Sequence, residues 1–334
     1  MAMSASENAG DLYLPTPWTL FCRILAWSVV ATLFAFLFNA YLTFWLGWPG
    51  SAAAFGPDAS ALAWLQILLY LLGIAGPAAF VVRSRSRSLR QDDATMTAIA
   101  AYIVKAAFWA VLLVGLVDAF ISFLRVEDLL RPLFGDRLAL DLGRNQFRSP
   151  YVHAPLLVVS VILPAFVRTH GFTWLALLVV VAEMNIVISR FIFSYEQAFM
   201  SDLVRMWYGA LFLFASAYTL IEEGHVRVDV LYSTFTAKTK GLVNAVGALV
   251  LGLPICWTIL IVGLSQPASI IAGPLLTLEV TQSGFGMYIK YLMAAFLGVY
   301  AISMAIQFSG YFLEGVADYR RDPGKRQLET ALPQ

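Results

Sequence analysis

Charge is what this chain has least of. Of its 334 residues only 13% are Asp, Glu, Lys or Arg, about half the share in an ordinary soluble domain, and 60% are apolar. That leaves too little polar surface to cover a water-soluble globule. The formal net charge of +1 offers no broad basic face for nucleic acid. The positive residues sit in short loops instead, where they report topology. There are two cysteines, Cys22 and Cys256, both inside apolar runs, so neither a disulfide framework nor a Cys-rich metal site is expected. Histidine is equally scarce. His153 and His170 bracket one apolar run at opposite membrane faces and no further histidine lies within a run, which argues against a b-type cytochrome. No cofactor is expected.

What the chain does have is length in its apolar runs. A helix needs about 20 residues to cross a hydrocarbon layer of ~30 Å. Eight runs qualify, and they predict an all-α polytopic transmembrane bundle. They cover about Thr19–Leu46, Leu62–Val82, Thr97–Leu124, Val152–Val167, Phe172–Phe193, Leu203–Ile221, Leu242–Leu264 and Tyr288–Leu313. Ser51, Ala52, Ala53 and Ala54 look superficially like a processing site, but the first run is too long for a signal h-region and reads as a spanning helix. The fourth run is short and carries Pro164, which requires a neighbouring group to satisfy the freed carbonyl.

Eight crossings place both termini on one side. The arginines at 83, 85, 87 and 90, then Arg168, Arg227 with Lys238 and Lys240, and the Arg320–Arg326 tail then share that side, which the positive-inside rule makes cytoplasmic. Trp48–Ala61 and Pro267–Met287, on the other side, carry no Lys or Arg. The exception is Arg125–Arg148, with five arginines on the outer side. Its leucines at 129, 130, 133, 138, 140 and 142 suit either an interrupted amphipathic segment on the outer interface or a solvated loop.

Few residues invite chemistry. Glu183 sits near the centre of the fifth run with Asn185 two positions on. An ionisable group at that depth costs roughly 2.5 to 3.5 kcal/mol on insertion scales, so it should face protein or water, as an ion-coupling group or as a packing residue at a subunit interface. Arg190 is two turns away, too far to pair with it within the helix. Lys105 and Asp118 share the third run about 20 Å apart and are expected to snorkel to opposite ends. Asp202 and Arg205 open the sixth run near Arg190, as an outer polar cluster or as a helix cap. His225, Arg227 and Asp229 make neither a zinc site nor a triad and read as a structural turn. Small residues recur on one stripe of the seventh run, Gly241, Ala245, Ala248 and Gly252, and again on the eighth, Ala294, Gly298, Ala301 and Ala305. Such stripes let backbones approach closely in lipid. No nucleophile with a matching base appears, so no enzymatic activity is expected.

From about Phe172 onward the chain resembles the small membrane subunit of tripartite ATP-independent periplasmic (TRAP) transporters, the DctQ-type family. The resemblance rests on Arg190-Phe191-Ile192-Phe193, on Trp207-Tyr208-Gly209-Ala210-Leu211-Phe212, and above all on Glu223-Gly224-His225-Val226-Arg227-Val228-Asp229-Val230-Leu231, with Glu279 and Ser283 ahead of the last run. Where the family carries an acidic pair with tryptophan, Met200-Ser201-Asp202-Leu203 offers only Asp202. The resemblance implies residues 171–334 as a four-helix small-subunit module and 1–170 as an extension of about four helices. It further implies a non-catalytic subunit in the bacterial inner membrane that braces a large DctM-type subunit and helps dock a periplasmic binding protein during ion-driven organic acid uptake. Glu183, Arg190, Asp202, Arg205, His225, Arg227, Asp229 and Glu279 are its candidate interface or structural polar residues. The alternative is a self-sufficient transporter or channel that uses Glu183.

Overall fold

A computed structural model describes residues 15–57, 59–167, 172–221, 231–281 and 285–324. Among them there are helices and turns and no strand. Eight helices are long and apolar enough to cross a membrane, so the chain is an all-α polytopic membrane bundle. We number the helices α1 (Pro17–Leu46), α2 (Ala61–Arg83), α3 (Leu89–Val126), α4 (Leu130–Leu142), α5 (Asn145–Ala165), α6 (Phe172–Phe193), α7 (Ala198–Ile221), α8 (Ala237–Leu264), α9 (Ala272–Thr277) and α10 (Lys290–Arg320). All but α4 and α9 are the spanning helices.

Helix ends follow local chemistry. At the start of α1 the Thr16 hydroxyl accepts from the Thr19 N–H while the Thr19 hydroxyl accepts from the Thr16 N–H, a reciprocal cap with Pro17 in the first turn. The same helix stops at Gly47, whose φ of 67° suits a residue with no side chain. Two helices contain π turns, 149–153 in α5 and 248–252 in α8, each beside a proline that cannot donate to the preceding turn. Near Pro164 the Tyr102 hydroxyl donates to the Val161 carbonyl at 2.6 Å, a donor of the kind the proline requires.

The largest difference from the expected boundaries is at α3, which starts at Leu89 rather than near Thr97. The reason is Asp92, fully buried beside the equally buried Arg23 of α1 at 2.6 Å, with Arg87 on its other oxygen at 2.9 Å. Pairing draws two polar turns into the helix. The fourth helix likewise begins at Asn145, and α10 runs on to Arg320.

The chain forms two units. One gathers Met1–Ala98, His225–Pro254 and Ala305–Gln334. In it Asn39 of α1 and Gln66 of α2 each donate to the other's backbone carbonyl, Arg90 pairs with Asp318 at 2.9 Å, and Gln307 donates to Thr97. The other gathers Ile99–Gly224 and Ile255–Met304, and its core is aromatic and aliphatic, with Phe108, Val111, Met206, Trp207, Phe214, Met287 and Phe296 buried together.

The Arg125–Ser149 stretch runs from the end of α3 through the kinked helix α4 to the start of α5. Gly135 in α4 has a φ of 77° that breaks the helical path; Leu130 and Leu142 are buried, whereas Leu129, Leu133, Leu138 and Leu140 are exposed. It is an interrupted helical segment with one face on the bundle.

Candidate functional site

The spanning helix α6 is the least covered by its neighbours, with 11% of its apolar window buried. At 3.6 residues per turn, Leu175 and Ala182 lie on one side and are buried. Val180, Glu183, Met184, Val187 and Phe191 lie on the other side and are exposed. Among the described residues Glu183 has no ion-pair or hydrogen-bond partner. An ionisable group thus stands midway along a spanning helix and points away from the bundle.

Arg190 pairs with Glu196 at 3.3 Å, both exposed, rather than joining Asp202. Lys290 donates to Glu279 at 2.5 Å, again on the surface. Exposed pairs of this kind contribute about 0 to 1 kcal/mol each.

Asp202 does something the sequence did not reveal. It is buried four residues into α7, outside the first turn, so it is not a cap. One oxygen accepts from the Thr281 hydroxyl at 2.8 Å and the Met287 N–H at 3.0 Å; the other faces the exposed Arg205 at 3.6 Å. The carboxylate therefore fastens the segment ahead of α10 to α7. Arg205 is its solvent-side companion, and no cluster with Arg190 forms.

The second correction concerns Asp118. It does not snorkel: its side chain is fully buried, with Arg148 at 2.9 Å, His153 at 3.0 Å and the Tyr288 N–H at 2.8 Å around it. Arg148 also donates to the Leu142 carbonyl and the Ser122 hydroxyl, and the other nitrogen of His153 lies 2.7 Å from the Tyr291 hydroxyl. Arg125 and Arg148 both lie over the Tyr288 ring, at 4.5 and 4.4 Å. Arg148 and His153 are five residues apart, a spacing that in a regular helix turns them about 140° from one another. The π turn at 149–153, with its bond from Ala154 N–H to Ser149, brings residues five apart onto one side. No helical periodicity reveals such a pair, which is why sequence reasoning missed it.

The small-residue stripe of α8 lies against α10. A side chain at Gly241 would meet the Tyr319 nitrogen at 2.5 Å and the Gly315 carbonyl at 2.7 Å, and one at Gly252 would meet the Phe308 ring at 2.7 Å. Ala245 and Ala248 are buried on the same stripe. On α10, Ala301 and Ala305 are buried and Gly298 lies near Ile271, while Ala294 is half-buried. The residues of α10 that receive the α8 stripe are Phe308, Gly315 and Tyr319.

Of the residues the resemblance singled out, His225, Arg227 and Asp229 lie outside the described residues, as do His170 and Ser283. Trp207 is buried, and its indole N–H donates to the Val111 carbonyl of α3 at 3.2 Å. A side chain at Gly115 would meet that indole nitrogen at 2.6 Å. Among the described residues no group of three or more His, Cys, Asp or Glu side chains is placed to hold a metal ion.

No curated protein and no solved structure matches the chain. Residues 175–317 match the family model described as tripartite ATP-independent periplasmic transporters, DctQ component. That span runs from α6 into α10 and contains Glu183, Asp202, Trp207 and both small-residue stripes. Over residues 175–317 the chain thus matches the DctQ component of TRAP transporters, and four helices long and apolar enough to span a membrane precede that stretch.

Proposed function

We propose that the chain is a non-catalytic scaffold subunit of a TRAP-type secondary transporter. It braces a large DctM-type membrane subunit and helps to dock a periplasmic binding protein, and the assembly imports organic acids on an ion gradient. The match over residues 175–317 carries this reading. It is supported by the outward face of α6, where Glu183 stands among exposed apolar side chains. A carboxyl group facing hydrocarbon costs roughly 2.5 to 3.5 kcal/mol, and a cation or hydrogen-bond donor from a neighbouring polypeptide relieves that cost. The small-residue stripes and the Asp118 network serve the bundle's own packing, as a scaffold requires.

The bilayer is the bacterial inner membrane, with both termini cytoplasmic. The arginines of the exceptional outer stretch count against that orientation less than their number suggests, because Arg148 is closed in against Asp118 and Arg125 is stacked on Tyr288. The self-sufficient transporter reading needs Glu183, Lys105 and Asp118 along one path. Asp118 is sealed into an ion network and Glu183 points outward, which weighs against that path.

Purification in mild detergent with identification of the co-purifying chains tests the proposal. A larger polytopic protein that alone carries ion-coupled solute uptake supports it. A clean homo-oligomer that transports in liposomes overturns it.

A further inference from the structure

A cavity of about 600 Å³ lies between α3, α6 and α7; Glu183 does not line it. Its floor is apolar, formed by Phe199, Met200 and Leu203 of α7, and its flanks are Phe123 of α3 and Ala182 of α6. Phe120 and Phe193 also line it, and both rings are exposed. All three walls belong to helices long and apolar enough to span a membrane, and the cavity lies where α3 and α6 end and α7 begins, the level at which acyl chains meet headgroups. Water finds few partners on such a floor, whereas an acyl chain fills it, and 600 Å³ is in the range of small-ligand sites.

The polar groups of the cavity are gathered toward one end. Glu127 follows the last residue of α3 and Tyr195 stands two residues beyond the end of α6. Ser189 and Asn185 lie four and eight residues back from Phe193, about 6 and 12 Å along the axis, at successively deeper levels. The Tyr195 hydroxyl donates to one Glu127 oxygen at 2.6 Å. Burial, and then the bond to Glu127, pushes the Tyr195 phenol up to about 12, so it stays a donor and fixes the carboxylate at the rim. The second Glu127 oxygen has no partner among the described residues.

We infer that this groove holds a phospholipid whose headgroup carries a primary ammonium. One acyl chain lies on the apolar floor, Ser189 and Asn185 reach the ester level, and Glu127 receives the ammonium. A carboxylate at the rim disfavours a purely anionic headgroup, and a quaternary ammonium cannot donate the hydrogen bond that the free oxygen accepts. The site depends only on the spanning helices and not on the transporter role. It brings together α3, from the four preceding helices, and α6 and α7, from the family-matched half.

The test uses the purified full chain in mixed micelles of dioleoyl phosphatidylethanolamine, phosphatidylglycerol and phosphatidylcholine in equal amounts, with retained lipid read by native mass spectrometry. We expect phosphatidylethanolamine to be retained in excess. Glu127→Gln should cut that excess roughly two- to five-fold, the weight of one exposed ion pair. Ser189→Trp should remove the retained species altogether. Glu127 is exposed, so its variant decides the matter even if Ser189→Trp fails to fold. Equal retention of the three lipids, or a Glu127→Gln protein with unchanged preference, overturns the inference. So does a Ser189→Cys variant that crosslinks to another polypeptide of the complex rather than to a reactive phosphatidylethanolamine.

Discussion

Asp118 and Glu183 both lie within spanning helices and meet opposite surroundings. Asp118 is enclosed by Arg148, His153 and a backbone N–H, while Glu183 faces outward with no partner among the described residues. Removing one member of a buried ion pair strands the other, at a cost of about 3 to 5 kcal/mol. Asp118→Asn and Arg148→Met should therefore each lower the melting temperature of the purified chain markedly, and the double variant should lose less than the sum. Additive losses would show that the pair does not act as a unit. Glu183→Leu should behave differently, leaving melting unchanged or slightly raised because a polar group is taken out of hydrocarbon. Its effect should appear instead as weaker co-purification of the large subunit, with Glu183→Lys weaker still against a cationic or donor partner. Unchanged recovery of both variants would remove Glu183 from the interface.

Helix contacts depend on what is missing from certain side chains. At the α8–α10 crossing a side chain at Gly241 would meet backbone atoms, the Tyr319 nitrogen and the Gly315 carbonyl, which cannot swing aside. At the α3–α7 crossing a side chain at Gly115 would meet a ring, the indole of Trp207, which a rotamer change can move at the expense of its bond to Val111. Gly241→Ala should therefore destabilise more than Gly115→Ala. Overpacking of this kind typically costs about 1 to 3 kcal/mol, with Gly241 expected at the upper end. Thermal melting of the two variants side by side gives the order, and a reversed order would mean that α8 and α10 separate more easily than their contacts suggest. Pairing Gly115→Ala with Trp207→Phe should restore part of the loss, because the smaller ring vacates the position.

At the scale of the whole molecule, the family-matched half is not self-contained. Trp207 docks on α3, and the backbone of Tyr288 and the hydroxyl of Tyr291 are held by Asp118 and His153. All the residues that receive them precede residue 170. Deleting Met1–Thr169 should therefore leave a fragment that aggregates or is degraded rather than a four-helix subunit, with loss of complex formation and uptake. A monodisperse, helical fragment that still captures the large subunit would contradict this and would return the first four helices to the status of an appendage.

The number and placement of the spanning helices were legible in the sequence because a run of apolar residues long enough to cross hydrocarbon has few other uses. Boundaries were less so wherever a buried pair such as Arg23–Asp92 draws charged turns into a helix. The resemblance to DctQ components was also readable, from strings such as Trp207–Phe212 that are contiguous along the chain. What only the tertiary structure decided is which charges are sealed in and which face outward. Asp118 and Arg148 are 30 residues apart, Asp202 and Met287 are 85 apart, and a π turn sets the side that His153 presents. Hydropathy is a property of a segment and survives the loss of three-dimensional context; ion pairing is a property of distance, and distance is fixed only when the helices pack.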